Sequence, residues 1–539
     1  MGEIKMSFFK KISEKLAFDK PDTRYELLER EKGDPQKMFG WNDIYAQGEE
    51  AARACPSSIE EVEKELKKIF RTDINKDVIF TKLRAGSKNI LLVHMNGMAS
   101  ANTISEYIIK PILGLNESVC PDLDMLSECC IEIAEMHRET NLIDIKLAIM
   151  EGQTALFLNG EPMAIILESR GYEKRSISGA ENEKVVRGPK EGFNESLRTN
   201  ITLVRRIIRS DDLVVETRLS GGDNNTSIAI IYRDGVADRS LIDEVKKRLA
   251  RINIRMVFST GIIEQLIEDS PNSPIPQSLA TERPDRTANY IMRGGVAVLA
   301  DGTPFAVIVP ITFSTLMSSS EDIYLRKPVG SIMRLVRYIG AAISILLPGY
   351  FLALALFHQG LLSTEVLSTI VQSRKTVFEP LGIEMLLILA VFQLIREAGM
   401  RVPGSIGQAI GIIGGLIVGQ AAVAANIASS MVLIIVALSG LGNFCIPDYS
   451  TQLAASYFRI AFMIAAWMGG LLGLSAAFML FIAYLASLKS FGVPFLAPYA
   501  PKTYSKRPLI LRGSIKMNHR SEDYINAACD TLPKRSTNE

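Results

Sequence analysis

Up to about Lys327 the apolar residues come in short runs and alternations broken by charge; beyond it the apolar runs lengthen and charge nearly vanishes. The first pattern suits strands and amphipathic helices around a water-facing core, and the second suits helices solvated by lipid. Residues 90–112, ILLVHMNGMASANTISEYIIKPI, read as an apolar strand, a turn at Asn96-Gly97 and an amphipathic helix. Residues 228–250, IAIIYRDGVADRSLIDEVKKRLA, repeat that order around Asp234-Gly235. Both dipeptides suit turn positions that need a positive φ. An alternating strand precedes each copy, VIFTKLRAG from Val78 and VVETRLSGG from Val214.

A second pair aligns without a gap. IMEGQTALFLNGEPMAIIL from Ile149 matches IMRGGVAVLADGTPFAVIV from Ile291, with Met150, Gly152, Gly160 and Pro162 recurring at Met292, Gly294, Gly302 and Pro304. Each reads as a hairpin, turning at Asn159-Gly160 or Asp301-Gly302. The fold class expected is an α/β soluble region of two related subdomains, helices against mixed sheets, followed by an all-α polytopic membrane domain. Its parts are a flexible amino-terminal extension (1–55), a first α/β subdomain (56–180), a linker helix with a second α/β subdomain (181–327), a transmembrane helical domain (328–501) of about four to six segments, and a basic polar tail (502–539).

In the linker helix Phe193, Leu197, Ile201, Val204 and Ile208 recur at helical spacing, with Arg198, Arg205, Arg206 and Arg209 elsewhere on the helix. The arginines read as a solvated, salt-bridged face, or as a site for an anionic headgroup or partner. The basic amphipathic piece 8–18 reads as a loosely docked helix or a membrane-surface contact.

Between Tyr338 and Leu488 only ten residues are Asp, Glu, Lys or Arg. Segment 335–357 is the first clear span, with Pro348 inside it and Arg334 and Arg337 marking its start as the inner end. Segment 381–395 is short and holds Glu384 and Gln393, so a tilted span, a re-entrant piece and an interfacial helix all fit. Segments 406–425 and 427–441 follow, and 457–488 would be about 48 Å as one helix against a core of ~30 Å. That last segment either protrudes or breaks near Gly469-Gly470. The basic tail (Lys502, Lys506, Arg507, Arg512, Lys516) also belongs inside, so crossings must be even, whereas five segments are counted. The weak second segment is the natural suspect.

At 100° per residue, Gly404, Gln408, Gly411, Gly415, Gly419, Ala422 and Asn426 share a stripe about 60° wide. Small residues there form a helix-packing seam, at which backbones approach closely in lipid; alternatively Gln408 and Asn426 line a watery face. The two readings merge if the seam joins protomers around a central pathway. Among ionisable residues, Glu384 is the intramembrane candidate, Arg396, Glu397 and Arg401, just before Pro403, suit the interface, and Asp448 and Arg459 lie near the later loop.

Composition narrows the chemistry. A net charge of +1 carries no nucleic-acid signature, and six cysteines without a CxxC fit reduced, buried thiols. The four histidines lack metal spacing, no GxxxxGK[ST] loop occurs, and GIIGGLIVG lies inside a span. No catalytic residue, metal or cofactor is expected, and the chain reads as a non-enzyme. The charged start has no apolar signal region, which places the soluble part on the cytoplasmic side.

The motifs RGPKEGFNESLRTN (187–200), LIEDSPNSPIP (266–276), TERPDR (281–286) and DGTPFAVIVP (301–310) resemble the A subunits of bacterial spore germinant receptors, the GerA family. The likeness continues through LIREAGMRVPGSIGQAIGIIGGLIVGQAAV (394–423), IPDYS (446–450) and ASLKSFGVPFLAPYAP (486–501). The resemblance implies a subunit in the spore inner membrane, beside a transporter-like B subunit and a lipoprotein C subunit, that responds to nutrients and triggers germination. It also implies a homo-oligomer of A subunits forming an ion-conducting channel, with the Gly404 to Asn426 stripe as pore or protomer contact. The amino-terminal extension, the basic tail and GYEKRSIS (171–178), where many relatives have a tryptophan-containing version, depart from the pattern. Alternatives are an A-like paralogue accompanying the dipicolinate-release machinery, a secondary transporter, and a non-conducting scaffold.

Overall fold

The computed structural model describes residues 54–116, 118–171, 179–180, 182–401, 415, 417–501 and 525. The extension before residue 54, its piece 8–18, and the tail apart from Ile525 lie outside the described residues.

Helix α1 (Ile59–Ile69) leads into strands β1 (Val78–Ala85) and β2 (Lys88–Met95), then, after helical segments 101–113 and 123–130, β3 (Met136–Glu139), α2 (Leu142–Met150), β4 (Thr154–Leu158) and β5 (Ala164–Leu167). The same series recurs as α3 (Leu197–Ile207), β6 (Leu213–Ser220), β7 (Thr226–Arg233), α4 (Arg239–Ala250), α5 (Thr260–Ile267), β8 (Leu279–Thr281), α6 (Pro284–Ile291), β9 (Val296–Ala300) and β10 (Ala306–Val309). The sheets are ordered β1-β2-β4-β5-β3 and β6-β7-β9-β10-β8. This is one strand order used twice, as a duplicated unit produces. The turn glycines Gly97 and Gly235 both take φ 81°, and Gly160 and Gly302 take 97° and 83°.

All neighbouring strands pair antiparallel, so the expectation of mixed sheets is corrected. Hairpins join four of the eight neighbouring pairs, β1-β2, β4-β5, β6-β7 and β9-β10, and a parallel pair would have needed a crossover. β4, β5, β9 and β10 are buried along their whole length because helices cover both faces of each sheet. Four apolar clusters result, two per sheet.

The linker helix α3 packs through Phe193, Leu197, Ile201, Val204 and Ile208 as its spacing requires. Its arginines do not all face solvent. Arg205 is buried, donating from Nε to Asp77 of the first half at 2.8 Å and from Nη2 to the Leu213 carbonyl at 3.2 Å. Burial raises the Asp77 carboxyl above its ordinary value, against the pull of Arg205. This buried pair fixes the register of the two halves.

Beyond the second sheet run α7 (Lys327–Phe357), α8 (Thr364–Arg374), α9 (Leu381–Arg401), α10 (described over 417–424), α11 (Ser430–Phe444) and α12 (Tyr449–Ser487). Arg334 and Arg337 at the start of α7 reach back to buried Asp322, at 2.8 and 2.5 Å. Burial alone would raise that carboxyl; the two guanidiniums hold it below its ordinary value. Two helices, α7 and α12, are long and apolar enough to cross a membrane, and α11 is a shorter apolar helix.

Helix α12 is a hairpin. Gly470 leaves helical geometry at φ 58° and ψ −141°. Phe458 and Phe481 have ring centroids 4.7 Å apart, and Phe462 lies 5.7 Å from Phe481. On one straight helix 23 residues would separate Phe458 from Phe481 by about 34 Å. The legs 449–469 and 471–487 are therefore antiparallel, about 31 and 26 Å long. After the second leg, Ser490 Oγ donates to the Gln277 carbonyl at 2.6 Å, and Phe491 N donates to Asp269 at 2.5 Å. Phe491 is fully buried in the second subdomain, so the chain leaves the helices at the same face by which α7 enters them.

Candidate functional site

The helices bring two polar clusters to opposite ends of α9. At its first turn, Glu384 is almost completely buried. Its Oε1 accepts from Ser429 N at 2.6 Å and Ser429 Oγ at 2.7 Å, and its Oε2 accepts from Arg374 Nε at 3.2 Å. Ser429 is the N-cap of α11, accepting from Val432 N, so one serine closes that helix and holds the carboxylate. Arg374, the last residue of α8, also donates to the Glu379 carbonyl at 2.9 Å. Glu384 thus ties three helices together with every strong partner satisfied, which is what a buried carboxylate requires.

Two residues beyond Arg374, Thr376 Oγ1 donates to Asn426 Oδ1 at 2.6 Å. Segment 374–376 therefore brings Asn426 and Glu384, read separately in the sequence, to one end of the bundle. Asn426 takes φ 55° in the turn between α10 and α11. Helical projection stops before it, so Asn426 terminates the helix and is not a rung of the stripe. Gly404, Gln408 and Gly411 lie outside the described residues. Gly419 is packed inside the chain, where an added Cβ would sit 3.3 Å from Leu433 of α11. Gly415 is open, with nothing within 4 Å of such a Cβ. The described part of the stripe therefore divides into an internal contact and a free surface.

Segment 381–395 belongs to one helix that runs to Arg401. At its far end Arg396 lies beside Asn443 of α11, donating from Nη1 at 2.9 Å with the amide oxygen turned toward it. Arg459, on the first leg of α12, is buried and donates from Nη1 to Ser439 Oγ at 3.1 Å. Ser439 Oγ in turn donates a hydrogen bond to the Ser344 carbonyl of α7 at 2.8 Å. Arg374, Ser429, Ser439 and Asn443 were not singled out from the sequence. A lone serine at the start of an apolar run was the one available signal.

Where the soluble half meets the helices, Glu264 and Glu268 of the α5 region share the Ser278 hydroxyl, at 3.0 and 2.7 Å. Burial, then Glu268, then Asp448 beside the start of α12 push the Glu264 carboxyl up to about 7.

The architecture is two-part, two related five-stranded α/β units followed by apolar helices, and the comparisons place it in a family. The chain belongs to the family described as Bacillus/Clostridium GerA spore germination protein, whose model matches residues 64–524. It is similar to spore germination protein KA of Bacillus subtilis (strain 168), 35% identical over 79% of each chain. It is also similar to the uncharacterized membrane protein YfkQ of the same organism, 33% identical over 79% of this chain and 83% of the relative. The crystal structure of the N-terminal domain of the A subunit of the Bacillus megaterium spore germinant receptor GerK3 is 26% identical, covering 49% of this chain and 98% of its own, with a TM-score of 0.39.

Proposed function

We propose that this chain is the A subunit of a spore germinant receptor, coupling nutrient sensing to ion release across the spore inner membrane as part of an oligomeric channel. The observation that carries the reading is the family match across both halves of the chain, 64–524. Its partners are a transporter-like B subunit and a lipoprotein C subunit, and its own copies assemble around the helical half.

In this reading the helical region crosses six times: α7, α9, segment 406–425, α11, and each leg of α12. The folded-back α12 supports an even count, and both entry and exit are held on the second subdomain. The soluble half and the tail then share the cytoplasmic (core) side, with Arg334 and Arg337 at the inner end of α7. The open Gly415 surface is the contact between protomers or the lining of the pathway.

Flux through liposomes containing the purified chain tests this. Among the described residues a Cβ added at Gly415 meets nothing within 4 Å, so a loss of cation flux or of oligomer in a folded Gly415→Leu variant supports the channel. Unchanged oligomer and flux would overturn the assignment of that surface. Saturable solute uptake by the chain alone would instead make it a transporter.

A further inference from the structure

Arg396 and Arg459 both reach the same helix inside the helical region, Arg396 at Asn443 and Arg459 at Ser439 one turn earlier on α11. Among the described residues no carboxylate pairs with either. The neighbouring segment 402–414 contains no Asp or Glu. Glu397 follows Arg396 directly, and adjacent helical residues do not share a face. Among the described residues three buried donors of this pair have no acceptor: Nε and Nη2 of Arg396, and Nε of Arg459. Arg459 is only 4% exposed.

Burying one unneutralised cation is costly, and burying two together adds their repulsion. Buried donors in native proteins are met by an acceptor from protein, water or a bound group. Guanidinium groups match the planar, multi-oxygen geometry of carboxylate and phosphate. Asn443 and Ser439 each hold one Nη1 of the two guanidiniums, and they stand four residues apart on α11. Arg396 is five residues from the end of α9, about 7.5 Å, and Asn443 is one residue from the end of α11.

We infer that Arg396 and Arg459 form an oxyanion site between α9, α11 and the first leg of α12, taking one phosphate or carboxylate group. Two sources supply that chemistry, the phosphate of an anionic lipid headgroup and a free anion. The lipid source rests on the membrane reading above, since it needs the inner ends of α9 and α11 to lie near headgroup level.

The test uses the full chain in uncharged detergent, with thermal unfolding followed by tryptophan fluorescence; Trp467 lies on α12. One arm titrates inorganic phosphate at constant ionic strength, and the other titrates dioctanoyl phosphatidylglycerol against dioctanoyl phosphatidylcholine. A saturable rise in Tm with phosphate supports a free anion, and one with phosphatidylglycerol alone supports a headgroup. Arg396→Gln, at a partly exposed residue, weakens the apparent affinity about tenfold or more, while Arg459→Lys retains binding better than Arg459→Gln. Absence of saturation in both arms, or an equal shift in Arg396→Gln, overturns the site. Carbonate extraction of vesicles holding the chain separates the two ideas: release into the supernatant sinks the membrane reading, and retention without saturable binding sinks only the oxyanion site.

Discussion

Gly470→Ala puts the fold-back of α12 at risk. Its φ of 58° with ψ −141° falls in a region open essentially to glycine, which costs another residue about 1–3 kcal/mol. An added Cβ would also sit 3.0 Å from Phe357 Cβ and Cγ, at the end of α7, adding roughly 1 kcal/mol of overpacking. Together these give about 2–4 kcal/mol. At ~2–4 °C per kcal/mol for a unit of this size, Tm falls on the order of 5–15 °C. Gly469→Ala is the matched control, because its Cβ would meet nothing within 4 Å and alanine favours a helix by about 1 kcal/mol. Both variants are compared in detergent by tryptophan fluorescence during heating. A Gly470→Ala protein as stable as the wild type, or a Gly469→Ala protein equally damaged, would refute the hairpin geometry.

Glu384→Ala leaves Arg374 and the Ser429 N–H without their acceptor and lowers stability by about 3–5 kcal/mol, whereas Glu384→Gln keeps an acceptor and loses less. Equal melting of the two variants would show that the buried carboxylate is not the link. Glu264 carries a pH dependence. Its carboxyl sits at about 7 in the folded chain against an ordinary 4.5, so between those values the folded state binds more protons than the unfolded one. Stability therefore falls as pH rises from about 4.5 to 7 and levels off above. Glu264→Gln flattens that slope, which urea titrations at several pH values measure; a slope unchanged by the substitution would remove Glu264 as its source.

The duplication was legible because Asn-Gly and Asp-Gly turns and the gapless hairpin match are local signals. The third strand of each sheet was not: Met136–Glu139 and Leu279–Thr281 are too short to show an alternation, and pairing across the sheet makes them strands. The buried role of Arg205 was equally hidden, since its partner Asp77 lies 128 residues away. The tally of five apolar segments against two inner ends counted the last run once, and the structure folds that run back at Gly470. The second segment, first suspected, forms a continuous helix to Arg401. Gly469-Gly470 marked the break, but only the aromatic pairs across the legs show that the chain reverses there. Glu384 was found from the cost of burying a carboxylate in an apolar run. Its partners come from the ends of two other helices, which no single-segment reading brings together.

The central claim, that this chain works in nutrient-triggered germination, is tested most directly in spores. Monovalent cation release is recorded after exposure to amino acids, sugars and nucleosides in spores that lack this chain and in spores with it restored. The account predicts that release to at least one nutrient class is lost without the chain, returns with the wild type, and fails to return with Glu384→Ala. Cation release equal in all three strains for every nutrient would contradict it.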